Sequence, residues 1–523
     1  MEPSGLNHAA KVARTAAVGL ALFHLGVLAW LLVRRAAYPY DLEWMEGGML
    51  CHALRLLAGQ PIYAAPSIDF IPFLYTPLYP ALLALLGKAF GVGYLVARLV
   101  SIAAMAGALF LGYRFCAREG GSRAAALSAM AGFAAAFFLT GAFYDLARPD
   151  SLWLSLCAAA ALALYRGARD RDGQRRRFRE AGAHAWVAAA ALLLVLAFFT
   201  KQTAGPIMAG LGLSLCALNP VLVPTFGATL AAAGLPALSL LNRHSGGWFW
   251  RYVFELHQGH DFFAHRAFVE TPLALAAIVG PALLLCPWAL AMRRTPAVLY
   301  AAWLLLVGAA TAATASGTQW AITNAYIPGV YFAAVAGGVC AGQLLSGRRR
   351  AAPRWRPALV FTLLAASLAL KLPALDGRKD DAFLNLSRAR LLHRFDPRRF
   401  IPTAEDKAAG DALIARLRAT PGDVLVPFHP FYARLAGKPT FVHQMGVMDV
   451  GRAGLGVPAG LAEAFGGRRF SLVVVDDKIA DKWPFWPGLQ RNYQLLETIR
   501  GPKVVSGAQT APQQLLTPRP HLP

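Results

Sequence analysis

The chain has 523 residues, of which 57% are hydrophobic and 15% are charged, and its formal net charge is +23. Soluble proteins carry about 25% charged residues, so this composition excludes a soluble globule and indicates a polytopic membrane protein. The arginines lie in short segments between apolar runs, which argues against a nucleic-acid-binding face. The six cysteines include no CxxC pair and no His/Cys ligand spacing, so neither a zinc site nor a disulfide framework is indicated.

Apolar runs near the roughly 20 residues that cross a bilayer predict about eleven transmembrane helices. They cover approximately residues 15–36, 93–113, 124–143, 151–166, 183–200, 204–219, 222–241, 272–291, 297–315, 325–345 and 357–373. The first run carries no convincing small-residue cleavage site, so we expect it to stay in the mature protein. With the N-terminus in the cytoplasm, the arginine-rich segments 114–123, 165–180, 292–295 and 346–356 all lie inside, as the positive-inside rule requires.

Two features close to the first predicted helix bear on this topology. The run 77–90 is apolar but only about 14 residues long, which is shorter than a spanning helix. If it crossed the bilayer, every later arginine-rich loop would face outside, so we expect an interfacial or re-entrant helix at the outer face. Arg34 and Arg35, at the outer end of the first helix, oppose the rule. They could contact lipid phosphates, and more simply they would snorkel to the interface.

Residues 374–523 contain no spanning run and form a second predicted domain after the membrane module 1–373. Helical patterns alternate there with short β-branched runs bounded by Gly, Pro and Asp, which predicts a small α/β domain. An odd number of spans places this domain in the periplasm or its equivalent. The run SLVVVDD predicts a buried strand that could deliver Asp476 and Asp477 to a ligand, although a strand followed by a polar turn explains it more simply. The predicted fold class is therefore an all-α polytopic membrane protein, N-terminus in and C-terminus out, with a small extracytoplasmic α/β domain.

Three carboxylates, Asp41, Glu43 and Glu46, follow the first predicted helix at the start of the first outer loop, residues 37–92. Carboxylates beside a bilayer are costly unless they face water, a cation or a reacting group, so they indicate a site. A solvated loop is the plainer alternative. Pro39 disfavours helix at the residue before it, which favours an extended start and a helix beginning near Glu43. We rank Asp41 first as a catalytic base, then Glu43, then Glu46.

Polar residues also occur in four other segments that the predicted topology places at the outer face. Candidate ligands for a donor phosphate are Lys201, Arg148 and Gln202. Candidate substrate-binding residues are Asp150, His257, His260, Asp261 and Asn324, together with Tyr75 of the first outer loop. Each has a plainer alternative: Lys201 could snorkel, and Arg148 between two aspartates could form a local salt bridge. The spacing of His257 and His260 would suit zinc, but no third convincing ligand follows, so we predict no metal site.

This set of residues suits the transfer of a group from a lipid phosphate. A carboxylate can deprotonate the acceptor hydroxyl as a general base, and cations can neutralise the charge that builds on the departing phosphate. The sequence contains no nucleophile elbow and no G-x-x-x-x-G-K-[ST] phosphate loop, so ATP-driven pumping is unsupported. A direct displacement is the simplest reaction.

The order of several motifs extends this interpretation. The motifs are YDLEWMEGG, RLLAGQPIY, YTPLYPALLALLGKAFG, VARLVS, ARPDSLWL, LAFFTKQT and SGTQWAITNAYIPGVYFAAVAGG. Over roughly residues 15–345 the chain resembles the polytopic C-type glycosyltransferase superfamily, in particular the bacterial family-39-like members related to protein mannosyltransferases and aminoarabinose transferases. Acids in those proteins are often adjacent or followed by glycine, whereas here they are spaced, so three assignments stay open.

The resemblance implies a polyprenyl-phosphate-linked sugar as donor, an inverting reaction, and a catalytic base at Asp41 or Glu43. The acceptor could be a lipid, a glycan or a protein. Some similar proteins use a divalent cation and others do not, and we predict no obligatory cofactor. We expect a bacterial cytoplasmic membrane protein. The alternatives are a transporter or flippase of lipid-linked saccharides, which would place charges near the bilayer midplane, and a scaffold subunit.

Overall fold

The computed structural model describes residues 3–170, 172–177, 179–346, 353–373, 382–385, 390–392, 395–476 and 486–520. The fold is mostly helical, with a small mixed sheet in the C-terminal region. Eight helical segments within the described ranges are long and apolar enough to cross a membrane. They are Leu6–Ala36, Tyr94–Gly120, Asp150–Ala168, Ala181–Thr200, Pro220–His244, Arg266–Met292, Pro296–Gly317 and Thr323–Leu345.

Fifteen α-helices lie within the described part of the first 373 residues. Their bounds are α1 Pro3–Ala36, α2 Glu46–Leu57, α3 Leu78–Phe90, α4 Tyr94–Gly120, α5 Arg123–Ala135, α6 Asp150–Ala168, α7 Ala181–Thr200, α8 Ala204–Leu218, α9 Val223–His244, α10 Trp248–Trp250, α11 Thr271–Val279, α12 Leu285–Met292, α13 Pro296–Gly317, α14 Ile327–Leu345 and α15 Arg356–Ala369. Each of the eleven predicted spans therefore overlaps a helical segment. Three of these segments, α5, α8 and α15, have only 13, 15 and 14 residues.

The predicted span 124–143 is wrong at its C-terminal end, because α5 stops at Ala135. Gly141 and Ala142 have φ angles of 77° and 60°, which a right-handed helix does not allow. The chain therefore turns after α5 and presents residues 141–149 as an irregular segment before α6 begins at Asp150. This segment contains Asp145 and Arg148, so the break in the helix brings charged residues next to the first loop.

Helix α14 lies at the centre of the helical bundle, since nearly all of its residues are buried, whereas most residues of the helix that ends at His244 are not. Small residues allow this close packing. A Cβ atom on Gly342 would lie 2.5 Å from the backbone of Gly120, and one on Gly338 would lie 2.7 Å from Cys116 Sγ. The two backbones of α4 and α14 thus approach more closely than larger side chains would permit, as small-residue contacts do in membrane helices.

The prediction that Arg35 snorkels or contacts lipid phosphate is wrong, because its side chain is fully buried. Its guanidinium makes a two-pronged ion pair with Asp145, with N···O distances of 2.7 and 3.0 Å. It also donates to Ser506 Oγ at 2.7 Å and to the carbonyl of Phe400 at 2.6 Å. Such a planar fork suits bidentate pairing better than a lysine would. Arg35 therefore fastens the end of α1 to the irregular segment and to the C-terminal region.

The C-terminal region is an α/β unit, as the sequence predicts. Its bounds are β1 Ala382–Asn385, β2 Arg390–Leu392, α16 Ala404–Ala419, β3 Asp423–Leu425, α17 Pro430–Leu435, α18 Gln444–Arg452, α19 Leu461–Gly466, β4 Phe470–Asp476, α20 Leu489–Asn492, β5 Tyr493–Thr498 and β6 Pro512–Pro518. Four strands form one sheet in the order β3-β4-β6-β5, in which only β3 and β4 are parallel. A capping box between Thr403 and Asp406 starts α16.

The run SLVVVDD forms the predicted buried strand, which is β4. Its last residue, Asp476, is fully buried at the carboxyl end of the strand. Asp477, the second acid of the run, lies outside the described residues.

Candidate active site

Glu46 is enclosed by hydrogen bonds that shape the start of the first loop. Arg98 of α4 donates to both of its carboxylate oxygens at 3.0 and 2.7 Å, and both side chains are fully buried. The backbone N–H groups of Leu42 and Ala147 donate to Glu46 at 2.6 and 2.7 Å. Burial opposes ionisation of Glu46, but Arg98 and these N–H groups hold its pKa below the usual value. Four such contacts leave Glu46 little capacity for a substrate.

Arg98 also fixes the backbone that precedes the acids. Its guanidinium donates to the carbonyls of Tyr38 and Tyr40 at 2.5 and 2.6 Å. Residues 37–45 consequently form an irregular segment, and α2 begins at Glu46. We expected the helix to begin near Glu43, three residues earlier. The carbonyl contacts with Arg98 keep this backbone out of the helical hydrogen-bonding pattern.

Asp41 is fully buried and faces the C-terminal region. Its Oδ1 accepts from the N–H of Gly47 at 2.8 Å, and its Oδ2 lies 2.7 Å from His429 Nδ1. The other ring nitrogen of His429 lies 3.3 Å from Asp476 Oδ2. Burial raises the pKa of Asp41, and the contact with His429 opposes this rise. Asp41 therefore forms part of a buried carboxylate–imidazole–carboxylate chain.

Glu43 points to a different neighbour, Arg148 of the irregular segment before α6. Arg148 donates to Glu43 Oε2 at 2.8 Å and, through its other terminal nitrogen, to Tyr75 Oη at 2.8 Å. Burial raises the pKa of Glu43 to about 7, with the charge of Arg148 opposing the rise and that of Glu46 adding to it. A carboxylate with a pKa near neutrality can take up a proton at physiological pH, which is the requirement for a general base.

A second ion pair lies beside the first and shares Tyr75 with it. Lys201, immediately after α7, donates to Asp150 Oδ1 at 2.7 Å, and the side-chain amide of Asn324 donates to the same oxygen at 3.1 Å. Lys201 Nζ lies 5.9 Å from the centre of the Tyr75 ring, and the guanidinium carbon of Arg148 lies 5.5 Å from it. Both cations therefore flank one aromatic ring, and each is neutralised by one carboxylate.

A row of polar side chains continues from Lys201. The side-chain nitrogen of the next residue, Gln202, donates to the carbonyl of Leu74 and lies 2.7 Å from His257 Nε2. The rings of His257 and His260 are 5.3 Å apart. Burial lowers the pKa of His257, which favours its neutral form.

His260 links this row to the C-terminal region. Its Nε2 lies 3.2 Å from Asp449 Oδ1 in α18, and both side chains are buried. Burial raises the pKa of Asp449, while His260 opposes the rise. The row therefore runs from the two ion pairs to the C-terminal region.

We define the candidate active site as Glu43, Tyr75, Arg148, Asp150, Lys201, Gln202, His257, His260 and Asn324.

Several buried polar atoms of this site have no hydrogen-bond partner within the described part of the chain. They are Arg148 Nε, Asp150 Oδ2, Trp153 Nε1, Gln202 Oε1 and His260 Nδ1. Trp153 lies beside the candidate active site, because Lys201 Nζ is 5.8 Å from the centre of its ring. Buried polar groups normally have partners. Five unpartnered atoms on neighbouring side chains therefore favour a polar ligand here.

Three predicted site residues lie outside this cluster. Asp41 contacts His429 and Gly47, and Glu46 contacts Arg98. Asp261 is exposed and accepts from the side chain of Gln319 at 3.2 Å. In the described ranges, no group of three or more His, Cys, Asp or Glu side chains could hold a metal ion.

Four residues with central positions in these contacts were not predicted as site residues: Arg98, His429, Asp449 and Trp153. Arg98 lies within the motif VARLVS, but its pairing with Glu46 spans 52 residues of sequence. His429 and Asp41 are 388 residues apart. The sequence offers one signal for His429, which is its position between two phenylalanines and two prolines in PFHPF, where a buried histidine needs polar partners.

No model of a known protein family matches this chain, and no curated protein gives a significant match. Solved structures do match. The structure of ArnT from Cupriavidus metallidurans bound to undecaprenyl phosphate aligns over 96% of this chain and 97% of its own, with 12% identity and a TM-score of 0.55. The same protein in the apo state covers 96% and 98%, with 12% identity and a TM-score of 0.56. The chain has the fold of the C-type glycosyltransferases.

The match with ArnT covers nearly the full length of both chains, so it includes the C-terminal α/β region as well as the helical bundle. An oligosaccharyltransferase from Archaeoglobus fulgidus aligns over 90% of this chain and 72% of its own, at 11% identity and a TM-score of 0.48. At 12% identity the match with ArnT describes a shared fold. The chemistry of the candidate active site depends on its own residues.

Proposed function

We propose that this chain is an integral membrane glycosyltransferase that moves a sugar from a polyprenyl-phosphate donor to an acceptor hydroxyl at the outer membrane face. Glu43 is the general base, and Arg148 and Lys201 bind the donor phosphate. The reaction is a direct displacement with inversion at the anomeric carbon. The fold shared with ArnT, whose structure holds undecaprenyl phosphate, supports the choice of a lipid-phosphate donor.

The observation that carries this proposal is the pair of ion pairs around Tyr75. Two cations and two carboxylates are nearly fully buried together, and Glu43 has a pKa of about 7. A structural role alone would not require the unpartnered Nε of Arg148 and Oδ2 of Asp150. A phosphate oxygen would accept from Arg148, and a sugar hydroxyl would donate to Asp150.

The arrangement couples proton uptake to charge stabilisation. The acceptor oxygen forms a bond to the anomeric carbon while its proton passes to Glu43, and the bond from that carbon to the phosphate oxygen breaks with both electrons leaving on the phosphate. Once Glu43 is protonated, Arg148 loses its counter-charge 2.8 Å away. At the same moment the leaving phosphate gains a negative charge. Arg148 is thus released from one anion as another forms, which is preorganised electrostatic stabilisation.

The contacts favour Glu43 over Asp41, which the sequence ranks first. Both oxygens of Asp41 are engaged, by Gly47 and by His429. Glu46 is held by Arg98 and two backbone N–H groups. We assign Gln202, His257, His260 and Asn324 to sugar hydroxyls. Asp261, which is exposed, remains a predicted substrate-binding residue.

We propose the topology predicted from the arginine distribution for this enzyme. The short helices α5, α8 and α15 complete a set of about eleven spans with the eight long ones, and α3 lies at the outer interface. The N-terminus is then cytoplasmic and the C-terminal α/β region is extracytoplasmic, in a bacterial cytoplasmic membrane. Cysteine-accessibility labelling at residue 69 and at residue 172, on opposite sides in this topology, tests the assignment.

The proposal requires no metal, since Arg148 and Lys201 supply the positive charge beside the leaving phosphate. A divalent cation could still add to it. Transfer measured with and without EDTA decides this point. Loss of transfer on chelation, with recovery on adding Mg²⁺, would show that the two side chains are not sufficient.

The experiment that tests the function uses the full chain in lipid nanodiscs with synthetic polyprenyl-phosphate sugars and a mixture of lipid, glycan and peptide acceptors. The wild type should release polyprenyl phosphate and form a glycosylated product. Glu43→Gln should lower kcat by about 100-fold or more, because a general base contributes roughly 10²–10⁴. Asp69→Asn is the matched control, since Asp69 is an acid of the same loop with 66% side-chain exposure. Equal activity in Glu43→Gln and the wild type would exclude the proposed base.

A transporter or flippase of lipid-linked saccharides is the alternative. It would place its charged residues in broken helices near the bilayer midplane. In the candidate active site, Asp150 is the first residue of α6 and Lys201 directly follows α7, so these charges lie at helix ends. Movement of a labelled lipid-linked sugar between leaflets, without any glycosylated product, would favour the transporter.

A further inference from the structure

The C-terminal region grips the first loop immediately before Glu43. The hydroxyl of Tyr40 donates to Asp411 of α16 at 2.6 Å. The carbonyl of Leu42 accepts from the N–H groups of Val505 and Ser506 at 3.0 and 2.9 Å. Residues on both sides of Asp41 are therefore hydrogen-bonded to a part of the chain that lies hundreds of residues further on.

His429 makes the innermost of these contacts. Its two ring nitrogens lie 2.7 Å from Asp41 and 3.3 Å from Asp476, and all three side chains have no exposure. A neutral imidazole can donate from only one nitrogen, so the protonated ring is the form that donates to both carboxylates. The neighbouring carboxylates raise the pKa of His429 to about 10 against the effect of burial. The Tyr432 ring stacks on the imidazole with centroids 5.0 Å apart and fixes its plane.

Asp41 connects His429 to the segment of the first loop that contains Glu43. Its other oxygen accepts from the N–H of Gly47 in the first turn of α2. Asp41 thus joins His429 on one side to the start of α2 on the other, and Glu43 lies on the short segment between these two attachment points. The position of Glu43 relative to Arg148 depends on where that segment is held.

We propose that His429 is a positioning residue for Glu43, and that the C-terminal region serves to hold the acidic loop in its reactive geometry through the His429–Asp41 contact. This inference rests on the proposed function for its catalytic consequence. It gives the C-terminal region a role other than binding the acceptor. It also gives Asp41 the role of an anchor, since both of its oxygens are occupied by the protein.

The test uses three variants of the full chain in nanodiscs. In Asp41→Asn, the new amide nitrogen can donate to a neutral His429 while its oxygen keeps the Gly47 N–H, so the link survives. His429→Ala removes the link entirely. Asp41→Asn combined with His429→Gln restores a neutral link, because the introduced glutamine amide can accept from the amide introduced at position 41 and donate to Asp476. This double variant covers the case in which His429→Ala does not fold.

The expected results separate positioning from chemistry. Asp41→Asn and the double variant should keep kcat within about tenfold of the wild type, while His429→Ala should lose about 100-fold in kcat with the KM for the donor changed by less than about threefold. A loss of 100-fold or more in Asp41→Asn would overturn the inference and return Asp41 to the role of base. So would a double variant no more active than His429→Ala.

A second measurement does not depend on transfer. Hydrogen–deuterium exchange of the amides at residues 40–47 should be faster by about tenfold or more in His429→Ala than in the wild type, and near the wild-type rate in the double variant. Unchanged exchange in His429→Ala would overturn the positioning role whatever the activity. If the wild type transfers no sugar but the exchange rates follow this order, the proposed function fails while the contact between loop and C-terminal region stands.

Discussion

Two substitutions of Arg148 distinguish the effect of its positive charge from the effect of its forked hydrogen bonding. Arg148→Gln removes the charge, and Arg148→Lys keeps the charge without the fork. Burial raises the pKa of Glu43 to about 7, and Arg148 is the main opposing charge. An opposite charge within about 4–6 Å lowers a carboxyl pKa by roughly 1–3 units. Arg148→Gln should therefore raise the pKa of Glu43 by that amount, to about 8–10. At pH 7 the ionised fraction of Glu43 would fall from about half to between roughly 9% and 0.1%, which lowers the rate by about 5- to 500-fold before any loss of phosphate binding.

Arg148→Lys keeps the charge but not the fork that reaches both Glu43 and Tyr75. It should leave the pKa of Glu43 close to its value of about 7. It should also lose one charge-assisted hydrogen bond, which costs about 1.5–3 kcal/mol, or about 10- to 150-fold in rate.

The assay is the pH dependence of kcat/KM for the donor between about pH 5 and 10, in nanodiscs. The wild type should gain activity as the pH rises through about 7, Arg148→Lys should keep this limb, and Arg148→Gln should move it to higher pH. An acid limb at the same pH in all three proteins would refute the argument, because the titrating group would then not be Glu43.

Three further outcomes follow from the described contacts. Arg98→Met leaves Glu46 buried without its cation and should lower the free energy of unfolding by about 3–5 kcal/mol, whereas Arg98→Met with Glu46→Gln should lose less than the sum of the single changes in chemical denaturation. Gly507→Ala should lower kcat about tenfold, since a Cβ at this φ of 63° would lie 3.1 Å from Glu43 Cγ. Gly437→Ala is the matched control, because Gly437 has a φ of 76° and open space around it. This control should leave kcat unchanged. The pKa of His429 is raised from 6.5 to about 10, so its stabilisation is complete below about pH 6.5 and is lost as the pH rises through about 10; denaturation curves should show this decline in the wild type and not in the Asp41→Asn/His429→Gln variant.

Much of the helical fold could be predicted from the sequence, because the bilayer imposes a length and an apolar composition on every spanning segment. The strand ending at Asp476 and the helix Ala404–Ala419 were also predictable, since their patterns are local. The end of α5 was not. Hydropathy continues across Gly141 and Ala142, and only the backbone angles there show that the chain turns.

The sequence predicts most of the residues of the candidate active site, but it does not predict which side chains contact one another there. Glu43, Arg148, Asp150, Lys201 and Asn324 all come together. Which of the three carboxylates remains available as a base depends on partners that are far away in the sequence. The spacing of the acids within the loop holds no information on those partners. Glu46 and Asp41 are occupied by Arg98 and His429. Sequence spacing alone therefore ranks the acids differently from the contacts.

The grip of residues 505 and 506 on Leu42, together with the contact between Arg35 and Ser506 over 471 residues, has a consequence for synthesis. A ribosome makes the first loop early, and the residues that hold it emerge hundreds of residues later. Asp41 likewise has no contact with His429 until residue 429 has been made. The first loop therefore lacks these anchoring contacts during most of the translation of the chain. A chain that stopped before residue 505 would contain the eight long apolar helices and yet lack the residues that hold Leu42 and Arg35.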